Sequence, residues 1–167
     1  MPGVGKSTLG RKLALTLAWK FVDLDQLIEI MTGKSIAAIF EENGESYFRK
    51  LEENTLKQNL PAGNIIVACG GGTPVYHNNI SWMKSKGYVI YLEASSKFIF
   101  SRVNQPVSKR PMFKDLKEND LLNAIEQLLA KRSIIYEQAH EKIKMPLKSI
   151  ELVKEMVETR QSNQEKK

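Results

Sequence analysis

The sequence predicts an α/β fold, a parallel sheet layered between helices, and three observations carry that prediction. Stretches with a helical apolar period alternate with short runs rich in isoleucine and valine. Two of those runs, residues 64–69 and 88–92, read as buried strands. A glycine-rich turn at residues 3–5 leads directly into the first helix.

The elements follow in order. Residues 7–18 read as a helix with Leu9, Leu13 and Leu17 on one stripe. Residues 20–23 form a short strand that ends in Asp23-Leu24-Asp25. Residues 26–31 are helical, residues 35–40 begin another helix, and residues 45–58 form a longer one. The 64–69 strand runs into Gly70-Gly71-Gly72, and the 88–92 strand follows. Residues 96–103 and 121–138 are helices around a polar segment, 104–120. A last short strand at 143–145 and a last helix at 150–159 complete one domain over residues 1–159. The polar residues 160–167 read as a disordered tail.

Size and composition agree with a single core: 167 residues, 42% of them apolar. No apolar run is long enough to span a bilayer, and the first residues do not read as a secretory leader. Cys69 is the only cysteine, so no intramolecular disulfide can form. These features point to the cytoplasm. The net charge of +6 favours anionic partners. With no arginine-rich arm and no basic patch interleaved with aromatics, small anions are favoured over nucleic acid.

Six motifs carry chemistry. Gly3-Val4-Gly5-Lys6-Ser7-Thr8 before a helix looks like a P-loop. Its backbone amides can curl around phosphates, Lys6 can reach the β- and γ-phosphates, and the Ser7 hydroxyl can ligate Mg²⁺. The full pattern asks for a further glycine five residues before Gly5, a position outside the sequence. Asp23 and Asp25 place two carboxylates on one side of a strand end, where one can hold Mg²⁺ through water and the other can accept a hydroxyl proton; the alternative is a polar turn with Asp25 capping the next helix. Arg49 and Glu52 share a helix face, either as an anchor for a substrate carboxylate or as a surface ion pair. Gly70-Gly71-Gly72 allows close approach of a ligand or makes a plain turn. Arg110-Pro111 and Arg132 offer guanidinium groups for a transferring phosphoryl group or a carboxylate, although each alone reads as exposed. Cys69 reads as an inert buried residue.

The order and spacing of these motifs resemble the shikimate kinase family over nearly the whole chain. That family shows a P-loop, an Asp-x-Asp after the second strand, a Gly-Glu-x-x-Phe-Arg helix, a triple-glycine turn, an Arg-Pro lid and an Arg-x-x-x-Tyr helix. Here these are Gly5-Lys6-Ser7, Asp23 and Asp25, Gly44 to Arg49, Gly70 to Gly72, Arg110-Pro111, and Arg132 with Tyr136. The resemblance implies a three-layer P-loop kinase that phosphorylates the 3-hydroxyl of shikimate with ATP and Mg²⁺, on the route to chorismate and the aromatic amino acids. Gly3, Val4, Gly5, Lys6, Ser7 and Thr8 would hold ATP, with Ser7 and Asp23 serving Mg²⁺. Asp25 would orient or deprotonate the attacking hydroxyl. Arg49 and Arg132 would bind the shikimate carboxylate, and Gly70, Gly71 and Gly72 its hydroxyls. Arg110 would come from a lid over residues 104–120 that closes on both ligands, and Arg102 would lie against the adenine. Family members are usually cytoplasmic monomers. Two other readings stay open: another P-loop small-molecule kinase, such as a gluconate or nucleoside monophosphate kinase, and a non-catalytic nucleotide- or shikimate-binding module.

The resemblance carries one further expectation. In the family a central strand enters the P-loop, but here Met1 and Pro2 already belong to the loop. The expectation is an N-terminally incomplete chain whose sheet has a gap between the 64–69 and 88–92 strands, with low stability and weak activity.

Overall fold

The computed structural model describes residues 1–103 and 118–165. Arg110, Pro111 and residues 104–117 of the expected lid lie outside the described residues. Gly5 turns the chain into α1 (Lys6–Leu17) from a left-handed conformation at φ 97°. β1 (Lys20–Asp23) follows, and α2 (Leu24–Thr32) starts at once, because the Asp23 side chain accepts hydrogen bonds from the amides of Asp25 and Gln26. The cap is therefore Asp23, and Asp25 lies in the first helical turn rather than at the strand end. Ser35 caps α3 (Ile36–Gln58) by accepting from the Ala38 amide. Gly44, at φ 77° and ψ 175°, breaks that helix into the two arms expected from the sequence.

β2 (Ile65–Ala68) leads through the glycine run to α4 (Asn79–Lys86), a helix the sequence reading does not contain. β3 (Ile90–Glu93), α5 (Ser96–Val103), α6 (Glu118–Tyr136) and β4 (Glu141–Lys144) come next. α7 (Ile150–Glu165) runs past residue 159, the expected helix end, into the stretch read as a disordered tail. No glycine or proline interrupts it, and Lys154 pairs with Glu158 one turn on at 3.6 Å.

The strands are parallel and fall into two pairs. β1 lies beside β2, with Lys20 opposite Ile65 and Asp23 opposite Ala68. β3 lies beside β4, with Ile90 opposite Glu141 and Glu93 opposite Lys144. Among the described residues no ladder joins β2 to β3, so the expected gap is present. An apolar cavity lies there, lined by Ile66 and Val67 from β2, Ile90 and Leu92 from β3, Leu13 from α1 and Ile80 from α4.

Among the described residues, three apolar clusters hold the layers together. Leu24, Ile28, Ile39, Phe48 and Leu56 join α2 to α3. Val4, Ile99, Val103, Leu121 and Ile125 pack α5 and α6 beneath the phosphate loop. Leu13, Ile143, Val153 and Val157 join α1 and α7 and reach both strand pairs through Ile66, Ile90 and Leu92.

The ladders fix which amides are protected. The Lys20 amide donates to the Asn64 carbonyl at 3.1 Å. Backbone groups alternate sides along a strand, so Ile66 and Ala68 bond toward β1 while Val67 turns to the gap. On β3, the Val89 and Glu93 carbonyls accept from β4 and its flanks, so Tyr91 sides with β4 while Ile90 and Leu92 turn to the gap. Native-state hydrogen exchange should therefore alternate, with the amides of Val67, Ile90 and Leu92 exchanging faster than those of Ile66, Ala68, Tyr91 and Glu93. Uniform protection along β2 and β3 would contradict a gap.

Candidate functional site

The carboxyl ends of β1 and β2 and the amino end of α1 meet at one polar cleft. Gly3, Gly5, Lys6, Ser7, Thr8, Asp23, Asp25, Gly70 and Arg102 line it. Helix α1 directs its amino end, the positive end of its dipole, into this space. The Lys6 ammonium donates to the Met1 carbonyl at 2.7 Å, spanning the loop. The Ser7 hydroxyl donates to Asp23 Oδ2 at 2.5 Å, so a hydroxyl and a carboxylate stand side by side at the helix start. Val4 differs from its neighbours: its side chain is buried in the core, leaving its backbone to the loop.

The glycine run forms the floor between this cleft and a second cluster of charges. A Cβ on Gly70 would stand 2.8 Å from Glu52 Oε1 and 3.4 Å from Asp25 Oδ1. One on Gly71 would stand 3.2 Å from Arg132 Nη1 and 3.3 Å from the Tyr136 hydroxyl. One on Gly72 would stand 2.5 Å from the Arg49 guanidinium carbon. Crowding by functional side chains, not a positive φ, requires glycine here.

Arg49 is held on every side. Nη1 donates to Glu52 Oε2 at 2.8 Å, and Nε and Nη2 donate to Glu45 Oε1 at 3.2 and 3.1 Å. Its guanidinium lies 4.6 Å from the Tyr76 ring centre and 5.0 Å from that of Phe48. Glu52 is fully buried and accepts from Thr73 Oγ1 at 2.5 Å through its other oxygen. Burial works against the charge on Arg49, but Glu52 and Glu45 together outweigh it and raise the guanidinium pKa. Burial dominates at Glu52 and pushes its carboxyl up, against the pull of Thr73 and Arg49. At Glu45 burial is opposed by the bonds from Tyr76 and Arg49, which bring its pKa below the ordinary value.

Arg132, on α6, is buried rather than exposed. Below it the Tyr136 hydroxyl donates to the Gly71 carbonyl at 2.6 Å, tying α6 to the glycine run. Burial pushes the Tyr136 pKa up. Cys69 is half-buried among polar and apolar neighbours; its thiol is pushed up to about 12, chiefly by desolvation, which makes it a poor nucleophile.

The sequence profile of the shikimate kinase family matches residues 2–161. This chain belongs to that family. It is 40% identical over 147 residues to a shikimate kinase of Persephonella marina, covering 88% of this chain and 86% of the relative. It is 37% identical over 155 residues to one from Caldanaerobacter subterraneus, covering 93% and 88%. Its structure is similar to the crystal structure of the Bacteroides thetaiotaomicron shikimate kinase, with a TM-score of 0.88, 30% identity and 94% coverage of both chains. It is similar also to the Acinetobacter baumannii enzyme in complex with shikimate, with a TM-score of 0.84, 31% identity and coverage of 96% and 89%.

The fold is thus the α/β P-loop kinase fold of the shikimate kinase family. Of the residues expected from the family motifs, Arg102 and those of the loop except Val4 share the polar cleft with Asp23, Asp25 and Gly70. Arg49 and Arg132 flank Gly72 and Gly71. Arg49 and Glu52 form a buried pair, not a surface one. The sequence reading assigned no role to Thr73 and Tyr76. Both follow the glycine run within four residues and bond the carboxylates that hold Arg49.

Proposed function

We propose that this chain transfers the γ-phosphoryl group of ATP to the 3-hydroxyl of shikimate, using the residues assembled around the glycine run. The observation that carries the reading is the placement of Gly70–Gly72 between a carboxylate beside the phosphate cleft, Asp25, and two buried guanidinium groups, Arg49 and Arg132. A small hydroxylated carboxylic acid lying over these glycines would present a hydroxyl toward the cleft and its carboxylate toward the arginines.

The roles follow from that orientation. The amides of the loop and α1, with Lys6, hold the phosphates and balance the charge that spreads over the transferring group. Asp25 accepts the proton of the attacking hydroxyl. Arg49 and Arg132 fix the carboxylate, and the Gly71 and Gly72 amides bind hydroxyls. The oxygens of Ser7 and Asp23, 2.5 Å apart, form a hard donor pair that suits Mg²⁺ held jointly with phosphates. That ion would neutralise charge on the β- and γ-phosphate oxygens. Arg102 lines the same cleft and would lie against the nucleotide base. We further propose a cytoplasmic monomer with ATP and shikimate as its partners. No described helix is long and apolar enough to cross a membrane.

The test is ADP release coupled to shikimate addition. Asp25→Asn should lower turnover by about a hundredfold or more, the range for loss of a general base, while ATP binding measured by titration is retained. Near-normal turnover by Asp25→Asn would leave Asp25 as a helix-turn residue only. Turnover with gluconate or a nucleoside monophosphate but none with shikimate would overturn the substrate assignment.

A further inference from the structure

Resting on the reading of Arg49 as an anchor for the acceptor carboxylate, one contact stands out. A carboxylate of the chain itself already holds the donors that such an acceptor needs. Glu45 Oε1 accepts from both Nε and Nη2 of Arg49, the side fork of the guanidinium that a planar carboxylate grips in a two-pronged pair. The same oxygen accepts from the Tyr76 hydroxyl at 2.9 Å.

The two glutamates on Arg49 differ in kind. Glu52 is enclosed, its side chain 1% exposed, and each of its oxygens has a donor in Arg49 or Thr73. It is a fixed support. The Glu45 side chain is 49% exposed and can swing into water. It also follows Gly44 directly, where the helix backbone breaks. We infer that Glu45 is an internal competitor for the acceptor carboxylate, occupying the Arg49 fork until shikimate displaces it.

Charge counting supports displacement over coexistence. Arg49 and Arg132 carry the positive charge, and against them stand the carboxylates of Glu45 and Glu52, with Asp25 close to Glu52 across Gly70. A further carboxylate in this partly buried cluster adds an unmatched negative charge if Glu45 stays. Moving Glu45 to solvent offsets that charge. Apparent affinity for shikimate is then reduced by the fraction of molecules in which Glu45 holds the fork. Acceptors without a carboxylate cannot displace it and gain nothing from Arg49, so the contact also sharpens selection for an acid.

Calorimetric titration of shikimate into the unmodified chain, Glu45→Gln and Tyr76→Phe tests this, with ATP titrated in parallel. Glu45→Gln should bind shikimate about two- to fivefold more tightly, the range for releasing a half-exposed ion pair. Tyr76→Phe should move the same way by less, because it loosens Glu45 without removing its charge. The shift should fall on shikimate and not on ATP, and shikimate methyl ester should show no gain from Glu45→Gln. Unchanged or weaker shikimate binding by Glu45→Gln, with the unmodified chain binding normally, would make Glu45 a positioning residue and overturn the inference. Absence of shikimate binding by every form would instead overturn the acceptor assignment and this inference with it.

Discussion

Arg49→Ala should lose shikimate affinity by about tenfold to a hundredfold, the worth of one charge-assisted bond to a carboxylate at roughly 1.5–3 kcal/mol. ATP affinity should stay. The same substitution should also destabilise the fold, because Glu52, 0% exposed, loses the charge that balances it. Removing one member of a buried pair costs about 3–5 kcal/mol, a large share of the roughly 5–15 kcal/mol that holds a domain together. Arg132→Ala separates the two effects. None of the ion pairs among the described residues involves Arg132. It should lose shikimate affinity to a similar degree with a smaller loss of stability. Urea unfolding read beside shikimate titration checks both. If neither variant alters shikimate binding, the carboxylate does not sit on these arginines.

Gly72→Ala should be as damaging to shikimate binding as loss of Arg49 itself. The added methyl would stand 2.5 Å from Arg49 Cζ and Nη1 and 2.6 Å from Nη2. The guanidinium has little room to retreat without breaking its ion pairs. Glu52 and Glu45 hold its nitrogens, and the rings of Phe48 and Tyr76 lie alongside. Either the glycine run or the arginine must move, and both are proposed to touch the acceptor. We expect a loss of about tenfold to a hundredfold in affinity. Gly87→Ala is the matched control: a Cβ there meets nothing within 4 Å, and its φ of −164° is ordinary extended backbone. Its stability should change by no more than about 0.5 kcal/mol. Equal shikimate binding by the two glycine variants would mean that Arg49 yields freely.

The site was legible where local sequence dictates geometry. Gly5-Lys6-Ser7 needs only a turn and a helix start, and Arg49 and Glu52 meet because three residues bring them to one helix face. Asp23 and Asp25 were recognised, but not which of them caps α2; that depends on where the helix begins, and the Asp23 side chain decides it. The burial of Arg132 could not be seen from its polar neighbours, since its seat is made by Gly71, some sixty residues earlier in the chain. Glu45 and Tyr76 meet across 31 positions and only once α3 packs beside the glycine run. Among the elements, α4 escaped notice because Asn-Ile-Ser-Trp-Met-Lys-Ser-Lys has little apolar period. β2 and β3 were plain, because their positions between layers of helices write themselves into apolar runs, whereas β4, Glu-Lys-Ile-Lys, starts two residues before the expected 143–145 because Ile143 alone of its side chains is buried.

The bond between the Tyr136 hydroxyl and the Gly71 carbonyl gives the ligands a mechanical task. Asp23, Asp25 and the glycine run hang from the β1–β2 pair, whereas Arg132 rides on α6, whose cluster packs against Tyr91 and Leu92 of β3. An acid touching both Asp25 and Arg132 would act as a second tie beside that bond, holding α6 to the glycine run. Substrate binding and the docking of α6 are then thermodynamically linked, and the distances on which phosphoryl transfer depends are set in part by the molecules that react.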